Sequence, residues 1–108
     1  MKIVFFGNHI YGHHSLHAMT NHGCSPILII ANQPRSGERP WYPSVAELGH
    51  NHNIEVLKAN KIVGDNELTK KIETLEPDLF VVASFRNLLD AELLSIPRFG
   101  SINLHMAP

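Results

Sequence analysis

The chain has 108 residues, of which 44% are hydrophobic and 18% are charged, and its formal net charge is −1. This composition fits one globular domain or part of one, and the near-neutral charge excludes the basic footprint of a general nucleic-acid or acidic-membrane binder. A single cysteine, Cys24, excludes an internal disulfide and fits a reducing cytoplasm, where we expect the protein to be located.

The amino-terminal stretch combines a short apolar run with a glycine. Lys2–Phe6 is predicted to be a buried strand closed by Gly7, and the run is too short for a signal peptide or a membrane span. Residues 7–12 are predicted to form a loop, after which Ser15 caps a helix that ends at Gly23. The loop lacks the G-x-G-x-x-G pattern, so a dinucleotide fingerprint is not supported.

The next segment contains a second apolar run and a long polar loop. Pro26–Ala31 is predicted to be a buried strand, and residues 32–40, rich in proline, glycine and arginine, are predicted to be a mobile surface loop. A short helix then begins at Pro43 or Ser44. The alternating segment Ile54–Leu57 is predicted to be an edge strand.

The second half of the chain continues the alternation of helices and strands. Asp65 caps the clearest predicted helix, which runs to Leu75 with an apolar stripe at i, i+4 and i+7. Three further elements follow: a strand that is apolar on both faces and therefore central in its sheet, a short helix, and a last strand (residues 78–85, 90–94 and 100–105).

The element order βαβαβαβαβ predicts an α/β fold, a Rossmann-like open parallel sheet with helices on both faces. Residues 1–108 are read as part of one domain, with no second domain. Ligands of such sheets bind outside the carboxyl ends of the strands. Three loops are predicted to meet there, at residues 7–12, 85–89 and 103–108.

The last predicted strand carries an amide and an imidazole on the same face. Asn103 and His105 are two residues apart, which places them about 6.6 Å from each other along a strand. An amide can donate a hydrogen bond to a developing oxyanion, and an imidazole can move a proton near neutral pH. Both residues are therefore candidates for catalysis, the alternative being a solvated strand end.

Six segments along the whole chain resemble the folate-dependent formyltransferases, which include the methionyl-tRNA, glycinamide ribonucleotide and nucleotide-sugar enzymes. Ile102–His105 resembles the N-[LIV]-H signature of that family. Tyr42–Leu48 is most similar to the "FYGSVA" segment of the sugar branch, whereas Asn32–Pro34 resembles the "TQP" of the methionyl-tRNA branch. The opening strand, the "NPDLIVV" strand and the loop of the pterin pocket have counterparts at residues 2–7, 77–82 and 85–89. The chain is thus identified as the amino-terminal half of a formyltransferase catalytic domain.

The resemblance implies that 10-formyltetrahydrofolate donates a formyl group to a primary amine. Because the similarity to the sugar branch is the greatest, the amine is expected to be that of an amino-sugar nucleotide. Asn103 would then donate its amide to the oxyanion of the tetrahedral intermediate, and His105 would shuttle a proton. The family's folate contacts would come from two loops of this chain. The loop before the last helix would supply Phe85, Arg86, Asn87 and Leu88, and the loop after the last strand would supply Met106, Ala107 and Pro108.

Two features depart from the family pattern. The family's third catalytic residue, an aspartate downstream of the N-x-H motif, has no counterpart in these 108 residues, so this chain alone is expected to be inactive. Met106-Ala107 also replaces the small-Ser-Leu that many relatives carry, which puts the detail of that folate contact in doubt.

Two other functions stay open at this point. One is a non-catalytic remnant of the same fold that binds folate or a nucleotide, and the other is a formyltetrahydrofolate hydrolase, in which water replaces the amine. No membrane partner is predicted, and a nucleic-acid partner is expected only if the acceptor is a tRNA. The sequence predicts no particular oligomeric state.

Several histidines and aromatic residues near the expected crevice have alternative interpretations. His13 and His17 are four residues apart, but no cysteine or acidic partner stands at ligand spacing, so no metal site is predicted. His9 and His13 are predicted to be solvated side chains, with binding of the acceptor as the alternative. Trp41 and Tyr42 are predicted to pack under the long loop, with stacking on a nucleotide base as the alternative.

Overall fold

The computed structural model describes residues 1–59 and 61–104. In them it contains five β-strands, β1 (Ile3–Gly7), β2 (Leu28–Ala31), β3 (Glu55–Lys58), β4 (Leu79–Ala83) and β5 (Ser101–Leu104). Four α-helices alternate with the strands, α1 (His9–Asn21), α2 (Val45–Asn51), α3 (Asn66–Leu75) and α4 (Ala91–Leu94). This alternation confirms the predicted Rossmann-like α/β fold.

All neighbouring strands are parallel, and their order in the sheet is β3-β2-β1-β4-β5. The parallel arrangement requires that each connection crosses the sheet, and the helices supply these crossovers. The order confirms β3 as an edge strand and places β4 in the interior, between β1 and β5. The carboxyl ends of β1, β4 and β5 therefore lie side by side, where a ligand site is expected.

Apolar side chains cover both faces of the three inner strands, which explains why their sequences are continuous apolar runs rather than alternating ones. Val4 and Phe6 of β1 point to the face that carries α3 and α4, while Phe5 points to the face that carries α1 and α2. The α3 stripe predicted from spacing is buried against the first face, through Leu68 and Ile72. The two core clusters hold the sheet rigidly between the helical layers.

Side-chain caps fix the starts of three helices. Ser44, Asp65 and Asp90 each accept a hydrogen bond from the main-chain N–H three residues later, at 3.2, 3.1 and 2.9 Å. These bonds satisfy main-chain donors that the first helical turn leaves without partners. The predicted helix starts at Ser44 and Asp65 are confirmed.

The predicted loop at residues 7–12 is wrong, because α1 begins at His9, directly after β1. Ser15 is not the N-cap but lies inside the helix, where its Oγ donates to the Tyr11 carbonyl at 2.8 Å. Gly12 allows the early start, since a Cβ at this position would lie 3.1 Å from the Ala83 carbonyl oxygen. The glycine that suggested a loop instead allows close packing of the helix on the end of β4. No helix in the described part of the chain is long and apolar enough to cross a bilayer.

Candidate active site

Asn103 lies on β5 beside Val82 of β4, and both side chains are on the α3/α4 face of the sheet. Asn103 lines a cavity of about 370 Å³ at the carboxyl ends of these strands. The other lining residues are Val82, Ser84, Phe85, Asn87, Leu88, Leu89, Leu94 and Ser101. The volume is in the range of small-molecule pockets, and a mostly apolar wall with a few polar groups suits a flat heterocycle.

Of the predicted folate-contacting residues, Phe85, Asn87 and Leu88 line this cavity together with Asn103. Phe85 is fixed from behind by an edge-to-face contact with Phe6, with ring centroids 5.6 Å apart. Predicted catalytic and folate residues at the carboxyl terminus lie outside the described residues, namely His105, Met106, Ala107 and Pro108. Within the described residues, the structure therefore brings together four of the nine predicted site residues.

Arg86 lies apart from that cavity, because its side chain is directed toward the long loop of residues 32–40. Its guanidinium pairs with the Glu38 carboxylate, with Nη1 and Oε2 3.3 Å apart, and also donates to the Gln33 carbonyl. The side chain of Arg86 thus supports the predicted pterin loop from outside.

Asn32, at the carboxyl end of β2, organises this edge of the sheet and was assigned no role from the sequence. Its side chain is buried, with 8% of its surface exposed. Its Oδ1 accepts from the main-chain N–H of Arg86 at 2.9 Å, and its Nδ2 donates to Asn87 Oδ1 at 2.7 Å and to the Ala59 carbonyl at 3.2 Å. The three bonds tie together the segments that follow β2, β3 and β4. A polar residue directly after a buried strand is the signal that could have identified it.

A second, smaller cavity of about 120 Å³ lies on the α1/α2 side of the same edge. It is more polar, with Asn8, Asn32, Tyr42, Ser44 and Lys58 among its lining residues. Asn32 lines this cavity and is bonded to Asn87, which lines the first one. The carboxyl edge therefore presents two neighbouring cavities, separated by a hydrogen-bonded wall.

Two residues at this edge have left-handed backbone conformations that are unusual for side chains with a Cβ. His9 has φ of 63° and Ser84 has φ of 56°, and they follow the adjacent strands β1 and β4. The Asn8 N–H donates to the Ala83 carbonyl at 3.2 Å and joins the two turns. Ser84 also explains why β4 ends two residues earlier than predicted. Such backbone strain is concentrated at functional sites.

A third and larger groove, of about 640 Å³, lies at the opposite edge of the sheet. Lys2, Asp78 and Arg98 contribute to its lining, and they lie before the starts of β1, β4 and β5, respectively. Parallel sheets bind ligands at their carboxyl edge, so we place the active site on the other side.

The long loop of residues 32–40 contains no helix or strand, as predicted, but Glu38 ties it to the rest of the site. Glu38 accepts from the Arg35 main-chain N–H at 2.8 Å and from the Tyr42 hydroxyl at 3.4 Å, in addition to its pair with Arg86. The Arg35 N–H bond, with smaller contributions from Arg86 and Tyr42, lowers the pKa of Glu38. Partial burial and the Glu38 charge raise the pKa of Tyr42.

Replacing Glu38 by glutamine is expected to speed tryptic cleavage after Arg35 about two- to fivefold at pH 7.5, because the ionic part of the loop anchor is lost. Since the pKa of Glu38 is lowered by folding, its anchor is complete above the ordinary value of 4.5 and is lost as the pH falls through the lowered value. The Arg35 amide resonance should therefore shift with a midpoint below 4.5. Glu47→Gln, at an exposed position, is the control and should leave the cleavage rate unchanged. Equal cleavage rates in Glu38→Gln and Glu47→Gln would show that Glu38 does not anchor the loop.

His9, Trp41 and Tyr42 form an aromatic cluster beside the smaller cavity. Ring centroids of His9 lie 4.4 Å from Tyr42 and 5.8 Å from Trp41, and those of Trp41 and Tyr42 lie 5.6 Å apart. Tyr42 is partly buried, as the predicted packing requires, but Trp41 is 74% exposed. The predicted packing of Trp41 under the loop is therefore wrong, because the loop is anchored through Glu38 and Tyr42 instead.

Three histidines on α1 lie close to one another. Ring centroids of His13 are 5.7 Å from His14 and 6.2 Å from His17. Burial, and then the charges of His14 and His17, lower the pKa of His13, which favours its neutral form. Within residues 1–59 and 61–104, no group of three or more His, Cys, Asp or Glu side chains is placed to hold a metal ion.

Comparison with known proteins agrees with this geometry. The family model described as "Formyl transferase" matches residues 1–107. The methionyl-tRNA formyltransferase of Clostridium beijerinckii is 35% identical over 107 residues, covering 97% of this chain and 35% of that protein. The enzyme of the same name from Sulfurihydrogenibium sp. is 32% identical over 108 residues, with the same coverage. The chain thus spans about one third of the length of these curated relatives.

Two solved structures have the same fold. Phosphoribosylglycinamide formyltransferase from Streptococcus pneumoniae TIGR4 superimposes with a TM-score of 0.66 at 16% identity, covering 96% of this chain and 56% of that one. Glycinamide ribonucleotide transformylase 1 from Symbiobacterium toebii gives a TM-score of 0.63 at 12% identity, with coverage of 95% and 50%. At these identities the two structures support the fold alone.

Proposed function

The chain belongs to the formyl transferase family, and on that premise we propose that a protein containing it transfers a formyl group from 10-formyltetrahydrofolate to a primary amine. The observation that carries the proposal is the position of Asn103, whose amide lines the mostly apolar cavity between β5 and the loop after β4. An amide donor beside a heterocycle-sized cavity is what acyl transfer from a folate needs.

The pterin ring of the donor would occupy the cavity of about 370 Å³. Phe85, Asn87 and Leu88 would contact it, and Arg86 would support their loop through Glu38. Met106, Ala107 and Pro108 are proposed to extend the folate contacts beyond the described residues. The Asn32 bonds to Arg86 and Asn87 would hold this loop in shape before the folate arrives, so that binding costs less ordering.

Catalysis would follow the chemistry of acyl transfer. The amine attacks the formyl carbon, the carbonyl oxygen becomes an oxyanion, and the side-chain amide of Asn103 donates a hydrogen bond to it. Collapse of this tetrahedral intermediate breaks the bond between the formyl carbon and N10 of the folate. His105 is proposed to accept a proton from the amine nitrogen and to return a proton to the leaving nitrogen.

We propose an amino-sugar nucleotide as the acceptor, on the basis of the Tyr42–Leu48 segment and its sugar-branch resemblance. The identity of 30–35% to methionyl-tRNA formyltransferases supports an aminoacyl-tRNA as the second candidate. Both acceptors present a primary amine close to a nucleotide.

The full-length protein that contains this chain is expected to release tetrahydrofolate from 10-formyltetrahydrofolate only when one of the two acceptors is present. Release can be followed by absorbance, with an amino-sugar nucleotide and methionyl-tRNA in separate reactions. Release without any amine would identify a hydrolase, whereas folate binding without release would identify a non-catalytic protein. Either result would contradict the proposed transfer.

A further inference from the structure

We infer that the exposed indole of Trp41, braced by His9 and Tyr42, is a stacking platform for the nucleobase of the acceptor. The inference rests on the proposed function, because it gives the formyl acceptor a binding site on this chain. It concerns the α1/α2 side of the carboxyl edge, away from the folate cavity.

Trp41 is exposed although it has aromatic neighbours that could have covered it. The plane of the indole makes an angle of 87° with the His9 ring and of 84° with the Tyr42 ring, so neither neighbouring ring lies flat on the indole. With 74% of its surface exposed, the side chain gains little from burial. The edge-to-face contacts with His9 and Tyr42 leave the flat surface of the indole open to a flat ligand.

The position of the cluster suits an acceptor that must reach Asn103. His9 follows the end of β1, which is separated from β5 by β4 alone. Two strand spacings amount to about 10 Å. A nucleotide with its base on Trp41 can therefore direct its sugar along the edge of the sheet toward the Asn103 amide.

The groups around the cluster favour a nucleotide over a protein or lipid surface. Lys58 and Ser44 line the adjacent small cavity, and the exposed Arg39 stands two residues before Trp41, so cationic and hydroxyl groups are available to a phosphate. Protein and lipid partners bind contiguous apolar patches, whereas here the exposed indole lies beside the His9 imidazole and next to a cavity with several polar lining residues. Stacking on an aromatic ring suits every base.

The nucleobase has two possible sources, namely the pyrimidine of a nucleotide-linked amino sugar and the 3′-terminal adenosine of an aminoacyl-tRNA. Thymidine monophosphate, uridine monophosphate and adenosine monophosphate serve as probes for these sources, and ribose 5-phosphate serves as a probe without a base. Titration calorimetry on the full-length protein that contains this chain measures each dissociation constant.

Trp41→Ala is expected to weaken binding of the preferred nucleotide by about 5- to 150-fold, because stacking contributes about 1–3 kcal/mol per base. Trp41→Phe should restore most of the affinity, and ribose 5-phosphate should bind Trp41→Ala and the wild type equally. The matched control is Phe99→Ala, which removes a 60% exposed aromatic ring at the amino edge of the sheet and should change nothing. Preference for the pyrimidine probes would indicate a sugar nucleotide, and preference for adenosine monophosphate a tRNA end.

The platform is disproved if the wild type binds nucleotides no better than ribose 5-phosphate. Equal losses for nucleotides and ribose 5-phosphate in Trp41→Ala would also overturn it, because they would indicate a structural defect. These titrations contain no formyl donor, so their outcome is independent of whether formyl transfer occurs. Conversely, formyl transfer with an unchanged acceptor KM in Trp41→Ala would retain the proposed reaction and remove the platform.

Discussion

Replacing Asn103 by alanine in the full-length protein is expected to lower kcat about 10²- to 10³-fold, with little change in folate affinity. The reason is that its amide donor acts on the oxyanion, which exists only in the tetrahedral intermediate and the transition states around it. Asn103 lies at the wall of the cavity on an ordered strand, so its removal leaves β5 and the pterin loop in place. Steady-state kinetics together with the dissociation constant of a folate separate the two effects.

Two further variants sharpen this test. Asn103→Asp keeps the shape of the side chain but replaces the donor by a carboxylate, and it should be as inactive as the alanine variant. Ser101→Ala is the matched control, because Ser101 lines the same cavity two residues earlier on the same face of β5. Loss of folate binding in parallel with kcat, or equal losses in the Ser101 and Asn103 variants, would assign Asn103 to binding instead of catalysis.

The elements of this fold are predictable because they rest on local signals. Apolar runs marked the strands, and side-chain caps marked helix starts at Ser44 and Asp65. The start of α1 was mispredicted because Gly12 has a role that depends on Ala83, a residue 71 positions further along the chain. A glycine that packs closely against a distant backbone group has the same local appearance in the sequence as a glycine in a loop.

The site was predictable in part for the same reason. Phe85, Asn87 and Leu88 follow β4, Asn103 lies on β5, and the pairing of these two strands brings the four residues to one cavity. The tertiary bonds of the site join residues far apart in sequence. Asn32 and Asn87 are separated by 55 positions, and Glu38 and Arg86 by 48. No periodicity encodes such pairs, so they are found only once the fold is known.

These long-range bonds give the carboxyl edge its organisation. Asn32 fixes the Arg86 main chain from the β2 side, and Glu38 fixes the Arg86 side chain from the long loop. The proposed folate cavity and the small polar cavity are therefore separated by one hydrogen-bonded wall, with the proposed donor on one side and the proposed acceptor on the other. A defect in that wall should affect both stability and folate binding.

Replacing Asn32 by alanine is expected to lower the free energy of unfolding by about 2–4 kcal/mol and to weaken folate binding. The variant loses three hydrogen bonds from a buried amide, each contributing about 0.5–1.5 kcal/mol. Because two of these bonds hold Arg86 and Asn87, the pterin loop also loses its preorganisation. Urea unfolding of the full-length protein and folate titration measure the two effects.

Asn32→Asp separates the roles of the two ends of the amide. The carboxylate can still accept from the Arg86 N–H, but it has no donor for Asn87 Oδ1 or the Ala59 carbonyl. The Asn32→Asp variant should therefore also be less stable than the wild type. The matched control is Asn51→Ala on the exposed end of α2, which should change stability by less than about 0.5 kcal/mol. If Asn32→Ala retained both its stability and its folate affinity, the shared wall would not depend on Asn32, and preorganisation of the folate loop would have to come from the Glu38 pair with Arg86.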